Sequence, residues 1–190
     1  MRIIAGAWRG RALAAPAGAA TRPTAERVRQ ALFDMLLHAP WAGRARLEGA
    51  VVLDAFAGTG ALGLEALSRG AQRAHFMETG RAALAALRAN IAACRATDRA
   101  TVLAADATRP PPGEACTLIF LDPPYAQDLG PRALAALRAA GWIAPGALIV
   151  LETGRGEALP EEPGTALATR SHGAATLSVW QAPGTAAPSR

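Results

Sequence analysis

Between residues 51 and 78 the chain spells a strand, a glycine turn, a helix and a second strand that ends on an acid. Val51-Val52-Leu53-Asp54 is a short apolar run, Gly58 and Gly60 punctuate the turn, and Ala74-His75-Phe76-Met77 leads into Glu78. The pattern continues: strands are expected near 51–55, 73–77, 100–104, 117–121 and 146–152, and helices near 60–69, 80–95 and 128–140. The helical stretches place apolar residues three and four apart, as Leu84, Leu87 and Ile91 do. Such alternation with short connections requires a largely parallel sheet with helices on both faces. After it, 166–170 and 174–180 flank Ser171-His172-Gly173 as a hairpin, which adds an antiparallel strand. One domain is the natural count for 190 residues.

The glycine turn is chemically informative. Gly58 and Gly60 permit backbone conformations and close approaches that a Cβ would obstruct. The helix behind them is expected to aim free N–H groups at an anionic ligand. Glu78 stands twenty positions after Gly58, where an acid accepts hydrogen bonds from ribose hydroxyls. Gly58 to Gly63 also spells the G-x-G-x-x-G dinucleotide fingerprint, so a nicotinamide or flavin enzyme is a rival reading. Asp54 favours S-adenosylmethionine instead: an acid just before the loop can meet an α-ammonium, whereas it would repel a pyrophosphate. Asp106, after the third strand, is either an acceptor for an adenine amino group or an ordinary turn residue.

A second motif lies at the end of the 117–121 strand. Leu121-Asp122-Pro123-Pro124-Tyr125 stops the strand with two prolines, so that Asp122 and Tyr125 project from a stiff turn. In open α/β sheets ligands bind at that edge. A planar amino group fits there, with its N–H bonds directed to the Asp122 side chain and the Pro123 carbonyl and Tyr125 stacked on the attached ring. This suits methylation of an exocyclic nitrogen on a base, and a redox enzyme has no use for it.

Charge is distributed unevenly. All 20 basic residues are arginine. Residues 1–46 hold eight arginines against Glu26 and Asp34, a net +6, while the remainder holds twelve against thirteen acids, a net −1. A basic amino-terminal segment on a neutral body is suited to a polyanion. Arg2 to Trp8 and Arg11 to Ala14 are expected to form a short hairpin around Arg9-Gly10, and Thr24 to cap a helix over 24–37. A cleavable presequence is the alternative for this segment, opposed by its patterning. Arg81, Arg88 and Arg95 read as a solvated helix face. Cys94 and Cys116 are too isolated for a disulfide framework or zinc site, and the three histidines have no ligand spacing, so no metal is expected. No membrane span or signal peptide is legible, which points to the cytoplasm.

Together these motifs resemble the class I S-adenosylmethionine-dependent methyltransferases, and within them the RsmD family, which methylates a guanine N2 in bacterial 16S ribosomal RNA. The narrowing residues are amino-terminal: Arg2-Ile3-Ile4-Ala5-Gly6, Trp8-Arg9-Gly10-Arg11, Arg22-Pro23-Thr24, Arg27-Val28-Arg29 and Ala31-Leu32-Phe33. The run from Asp54 to Gly70 and the Asp-Pro-Pro-Tyr turn are shared more widely among amino-group methyltransferases. The resemblance implies a Rossmann-like fold with a mostly parallel seven-stranded sheet and an antiparallel carboxyl-terminal strand. It divides the chain into a basic hairpin arm (1–22), a catalytic domain (23–182) and a frayed tail (183–190). It places Asp54, Phe56, Gly58 and Gly60 at the methionine end of the cofactor, Glu78 at the ribose and Asp106 at the adenine. Asp122 and Pro123 then hold the amine, with Asp122 also beside the cofactor, and Tyr125 stacks on guanine. Arg9, Arg11, Arg22 and Arg29 would contact RNA phosphates. The implied partner is 16S RNA in an assembling 30S subunit, met by a monomer. The family often reads Glu-x-Asp where this chain has Glu78-Thr79-Gly80, which affects a secondary ribose contact. Two alternatives stay open: a catalytically silent assembly factor that binds ribosomal RNA, and an amino-methyltransferase with another nucleic acid or protein substrate.

Overall fold

A computed structural model describes residues 1–16, 23–125, 127–157, 159–161 and 164–184. Seven strands form one sheet: β1 (Val51–Asp54), β2 (Arg73–Met77), β3 (Ala100–Leu103), β4 (Cys116–Leu121), β5 (Ile143–Gly154), β6 (Thr165–His172) and β7 (Ala175–Gln181). Their order across the sheet is β3-β2-β1-β4-β5-β7-β6. β1 to β5 pair in parallel, and β7 runs antiparallel to both β5 and β6. The mostly parallel α/β fold expected from the alternation is therefore present. The chain reverses direction across the sheet at β1, so the β1–β4 gap is the switch point where ligands bind.

The two faces of the strands bury different sets. Val52, Phe76, Leu118, Phe120, Leu148, Val150 and Val179 face one side. They are covered by α1 (Pro23–His38), α3 (Ala61–Ser68) and α4 (Arg81–Ala93) through Leu32, Phe33, Leu64, Leu67, Leu87 and Ile91. Leu53, Ile119, Leu121, Ile149, Leu151 and Trp180 face the other, against Leu134 and Leu137 of α5 (Leu129–Ala139) and against Trp142. Continuous apolar strands such as β4 arise because both faces are covered. Full burial of a side chain such as Phe33, Phe76 or Phe120 contributes about 1.5–3 kcal/mol. Arg81, Arg88 and Arg95 are exposed, in keeping with a solvated face.

Local details differ from expectation. α1 starts at Pro23, so Thr24 lies inside its first turn; proline needs no N–H there and is already set to the helical φ. A short helix, α2 (Arg44–Leu47), intervenes before β1 and buries Leu47. β5 begins at Ile143 rather than near 146, because an irregular register between Cys116 and Leu118 lets the pairing pass Pro145-Gly146.

The amino-terminal hairpin shrinks to one bridge, Arg2 with Ala12, flanked by the Ile3 N–H to Arg11 carbonyl and Leu13 N–H to Met1 carbonyl bonds, each 2.9 Å. The rest of the expected first strand turns onto the carboxyl end of α3 instead. Ala7 N–H donates to the Ser68 carbonyl at 2.7 Å, and a Cβ on Gly6 (φ +83°) would come within 1.9 Å of that same oxygen. Ile3 and Leu13 are buried in the main core. Residues 1–16 are thus packed on the catalytic body. Arg22 and the tail residues 185–190 lie outside the described residues.

Candidate functional site

At the carboxyl edge of β1, β2, β4 and β5 the structure opens a cleft of about 650 Å³. Phe56, Glu78, Asp106, Asp122, Pro123 and Tyr125 line it. A smaller cavity of about 280 Å³ lies beneath α1 and shares Phe56 and Asp122 with the cleft; Asp54, Gly58 and Arg29 line it too. Two motifs about sixty residues apart therefore meet because β1 and β4 are neighbours in the sheet. Gly60 lines neither cavity and serves as the N-cap of α3.

The glycine turn is held by acids rather than left open for an anion. Gly58 N–H donates to Glu78 Oε2 at 2.8 Å, and Gly63 N–H, in the first turn of α3, donates to Asp54 Oδ2 at 2.9 Å. The expectation of free N–H groups fails at these two positions, because each carboxylate needs a donor of its own once it is taken from water. Glu78 is further fixed by Thr79 and Gly80 N–H groups at 2.8 and 2.6 Å. Gly58 (φ +52°) has nothing within 4 Å of where a Cβ would sit, so the backbone there faces open space.

Electrostatics sort these acids. Asp54 is almost fully buried; burial pushes its pKa up to about 7, the Gly63 bond opposes this, and Glu78 adds to it. Asp122 is raised too, by loss of hydration and by the negative charges of Glu152 and Asp54, although its side chain still meets solvent on the cleft side. Asp106 is exposed, and its pKa is lowered because Thr108 donates to Oδ1 twice, from N–H and from Oγ1, both at 2.8 Å. It caps its own turn and also lines the cleft. Tyr125 is 42% exposed at the mouth, while its hydroxyl donates to Glu152 Oε1 at 2.6 Å. That bond, after burial, raises the phenol's pKa.

Glu152, at the end of β5, lines both cavities and was not singled out in the sequence. The available signal was its place at the end of the strand expected near 146–152. Two further residues missed by sequence reasoning brace the site from behind. Asn90 joins Ala14 to the glycine turn through its amide: Nδ2 donates to the Ala14 and Thr59 carbonyls at 3.0 and 2.9 Å, and Oδ1 accepts from Ala14 N–H at 2.7 Å. Glu65 accepts from Ile4 and Ala5 N–H groups at 2.7 and 3.0 Å.

The arginines proposed for RNA divide. Arg9 is exposed and, with Arg2 and Arg27, lines a notch of about 480 Å³ between the amino-terminal segment and α1. Arg11 is exposed but donates to the Ala93 carbonyl at the end of α4. Arg29 requires correction. It is buried, donates to the Arg2 carbonyl at 2.6 Å and stands 3.9 Å from Glu65, so its charge is held inside by an acid and is not presented to phosphate. Among the described residues no cluster of acids, histidines or cysteines could hold a metal ion.

The cleft and the cavity that adjoins it offer mainly acceptors: Glu78, Asp106 and Asp122 in the cleft, and Asp54 in the cavity. That set fits a cationic nucleoside with a ribose diol and amino groups, and is ill suited to a pyrophosphate. The nicotinamide reading loses its footing there, since Gly58 N–H is already given to Glu78.

Comparison with known proteins agrees with this geometry. The family model described as "Conserved hypothetical protein 95" matches residues 1–181. The ribosomal RNA small subunit methyltransferase D of Escherichia coli K12 is 40% identical over 165 residues, spanning 86% of this chain and 79% of the relative. The solved structure of yhhF from Escherichia coli superposes with a TM-score of 0.83 at 34% identity, covering 97% of this chain and 99% of that one. The Thermus thermophilus 16S rRNA N2 G1207 methyltransferase, solved with AdoMet and guanosine, shares the fold at a TM-score of 0.64 and 22% identity, over 87% of this chain and 44% of its own. With the family model and near relatives spanning most of its length, the chain belongs to the RsmD family.

Proposed function

We propose that the chain transfers the methyl group of S-adenosylmethionine to the exocyclic N2 of a guanine in 16S ribosomal RNA. The observation that carries this is the juxtaposition, at one sheet edge, of Asp122, the Pro123 carbonyl and a half-exposed Tyr125 with the acids of the glycine turn. The names of its relatives, and the guanosine bound by a protein of the same fold, are in keeping with that reading.

When bound, the cofactor supplies an electrophilic methyl on a sulfonium. The chain's own residues do the rest. Asp54 meets the ammonium end, Glu78 the ribose and Asp106 the adenine amine, with Phe56 and Gly58 closing on the methionine. Guanine's amine is a weak nucleophile, because its lone pair is delocalised into the ring. N–H bonds to Asp122 and to the Pro123 carbonyl turn the nitrogen toward sp³ geometry and align that lone pair. Both acceptors lie where positive charge develops on nitrogen. Asp122, its pKa raised by lost hydration and by the charges of Glu152 and Asp54, then takes the proton directly or through water. Tyr125 stacks on a base that has left its helix, worth about 1–3 kcal/mol.

The body is small, and its excess positive charge is confined to a short amino-terminal segment. We therefore infer that the target is presented within an assembling 30S subunit, in the cytoplasm, to a single copy of the chain. Arg9, beside Arg2 and Arg27, is the foremost phosphate contact; Arg11 contributes less, being partly engaged by Ala93. No helix among the described residues is long and apolar enough to cross a membrane.

The test is transfer of labelled methyl to 30S particles from cells lacking the enzyme, followed by nucleoside analysis. N2-methylguanosine at one position is expected. Label in another base or in protein overturns the guanine assignment. Cofactor binding without any label favours a silent assembly factor.

A further inference from the structure

We propose that Glu152 accepts the N1–H of the target guanine, so that Pro123, Asp122 and Glu152 form a row of acceptors that selects the base. The inference rests on the guanine-N2 reading above and goes beyond it, since the amine contacts alone do not distinguish guanine from other amino-bearing bases.

Position is the first argument. β4 and β5 pair in parallel with Leu121 opposite Leu151. One residue on, Asp122 just past the end of β4 and Glu152 still within β5, where it pairs with Leu177 of β7, therefore stand side by side on backbones about 4.8 Å apart. The same closeness explains why Glu152 raises the pKa of Asp122. Glu152 lines both the cleft and the cavity beneath α1, so its carboxylate borders the space that the amine must enter.

Orientation is the second. The Tyr125 hydroxyl donates to Oε1 at 2.6 Å, which ties the carboxylate to the ring that stacks on the base. Among the described residues no arginine pairs with Glu152 or Asp122. Beyond the Tyr125 hydroxyl on its Oε1, the Glu152 carboxylate keeps lone pairs for a ligand, as does Asp122.

Chemistry supplies the third. A carboxylate accepts hydrogen bonds and cannot donate them. Guanine's Watson–Crick edge presents N1–H next to N2–H₂, a contiguous run of donors that matches this row. Adenine and cytosine present an unprotonated ring nitrogen beside their amine. Its lone pair would face Glu152, which selects against them by repulsion as well as by a lost bond.

The experiment uses 30S particles reconstituted with guanine or 2-aminopurine at the methylated position. 2-Aminopurine keeps the N2 amine but has a lone pair at N1. The wild-type protein is expected to prefer guanine by roughly a hundredfold or more in kcat/KM. Glu152→Gln, which still accepts from Tyr125 and can donate to a bare N1, is expected to bring that ratio to within about tenfold. Because 2-aminopurine also lacks O6, the change in the ratio on substitution is the deciding quantity. A wild-type protein that methylates both bases equally overturns the role of Glu152 and leaves the guanine-N2 reading standing. A preference unchanged in Glu152→Gln also overturns it. Methylation of neither base removes the guanine-N2 reading itself. Cofactor affinity measured on the same variant, expected unchanged, separates base selection from a collapsed site.

Discussion

Two groups of acids sit within the same body and are treated in opposite ways. Glu65, fully buried on α3, receives the Ile4 and Ala5 N–H groups, an Arg69 bond of 2.8 Å and Arg29 at 3.9 Å. Its charge is compensated within the protein, and it fastens the amino-terminal segment to the catalytic body. Arg69 also lies over the Phe33 ring, 4.7 Å from its centroid, which packs this knot into the core. Around the cavity beneath α1, Asp54, Asp122 and Glu152 gather with no arginine in ion-pair contact with them among the described residues, although Arg29 lines the same cavity. Burial and the charge of Glu78 hold the pKa of Asp54 high, and lost hydration with the charges of Glu152 and Asp54 raises that of Asp122. An acid supplied with its own cations is part of the architecture. On the proposed function, acids left without them would be completed by a ligand bearing N–H donors and positive charge.

The comparison breaks most visibly at Glu65. Glu65→Ala leaves Arg29 and Arg69 buried without a counter-charge, and a loss of about 3–5 kcal/mol is expected in denaturant unfolding. A loss under about 1 kcal/mol would mean that this knot is ornamental and that the contrast is false. Asp122→Ala should do the reverse. Methyl transfer falls roughly a hundred- to ten-thousand-fold, cofactor binding stays largely intact, and the melting temperature does not fall, because an uncompensated charge has been removed. Equal loss of stability and activity would make Asp122 a structural turn residue.

Asp54 sharpens the contrast through pH. Its folded pKa, about 7, lies above the ordinary 3.8, so the folded state holds its proton more tightly than the unfolded chain. Its contribution to stability is present below the ordinary value and is lost as pH rises toward 7. Binding of a cationic ammonium favours the carboxylate, so cofactor affinity should move the opposite way. It should rise by at most about tenfold per unit up to neutrality and level off above it. Calorimetric titration and thermal melts across the same pH range read the two trends, and parallel trends would contradict the assignment. The smallest effect is expected at the surface. Arg9→Ala should weaken RNA binding a few-fold and reduce its salt dependence by about one counter-ion, with stability unchanged. Arg29→Ala should unfold the protein more readily. Equivalent behaviour of the two would undo the distinction between inward and outward arginines.

Much of the site was legible in the residues. Asp54, Gly58, Glu78 and the Asp122 to Tyr125 turn announce themselves because each belongs to a local pattern that a strand end or a tight turn requires. The arginines were read less well. Arg29 and Arg9 are equivalent in composition and charge density, and only the packing of α1 against Glu65 turns one inward. Glu152 stood in plain view at the end of an expected strand. Its relevance depends on β5 lying beside β4, which no feature of its own neighbourhood records.

The sequence by itself determined the alternation of strands and helices, the two turns that border the cleft and its neighbouring cavity, and the uneven charge. These follow from periodicity and from glycine and proline stereochemistry, which act over a few adjacent residues. Tertiary structure alone decided which charges are compensated and which are left for a ligand. Glu65 meets Ile4 across 61 residues, Asn90 meets Ala14 across 76, and Tyr125 meets Glu152 across 27. Hydrogen bonds and ion pairs depend on distance in space, and only the folded sheet converts those separations in sequence into contact.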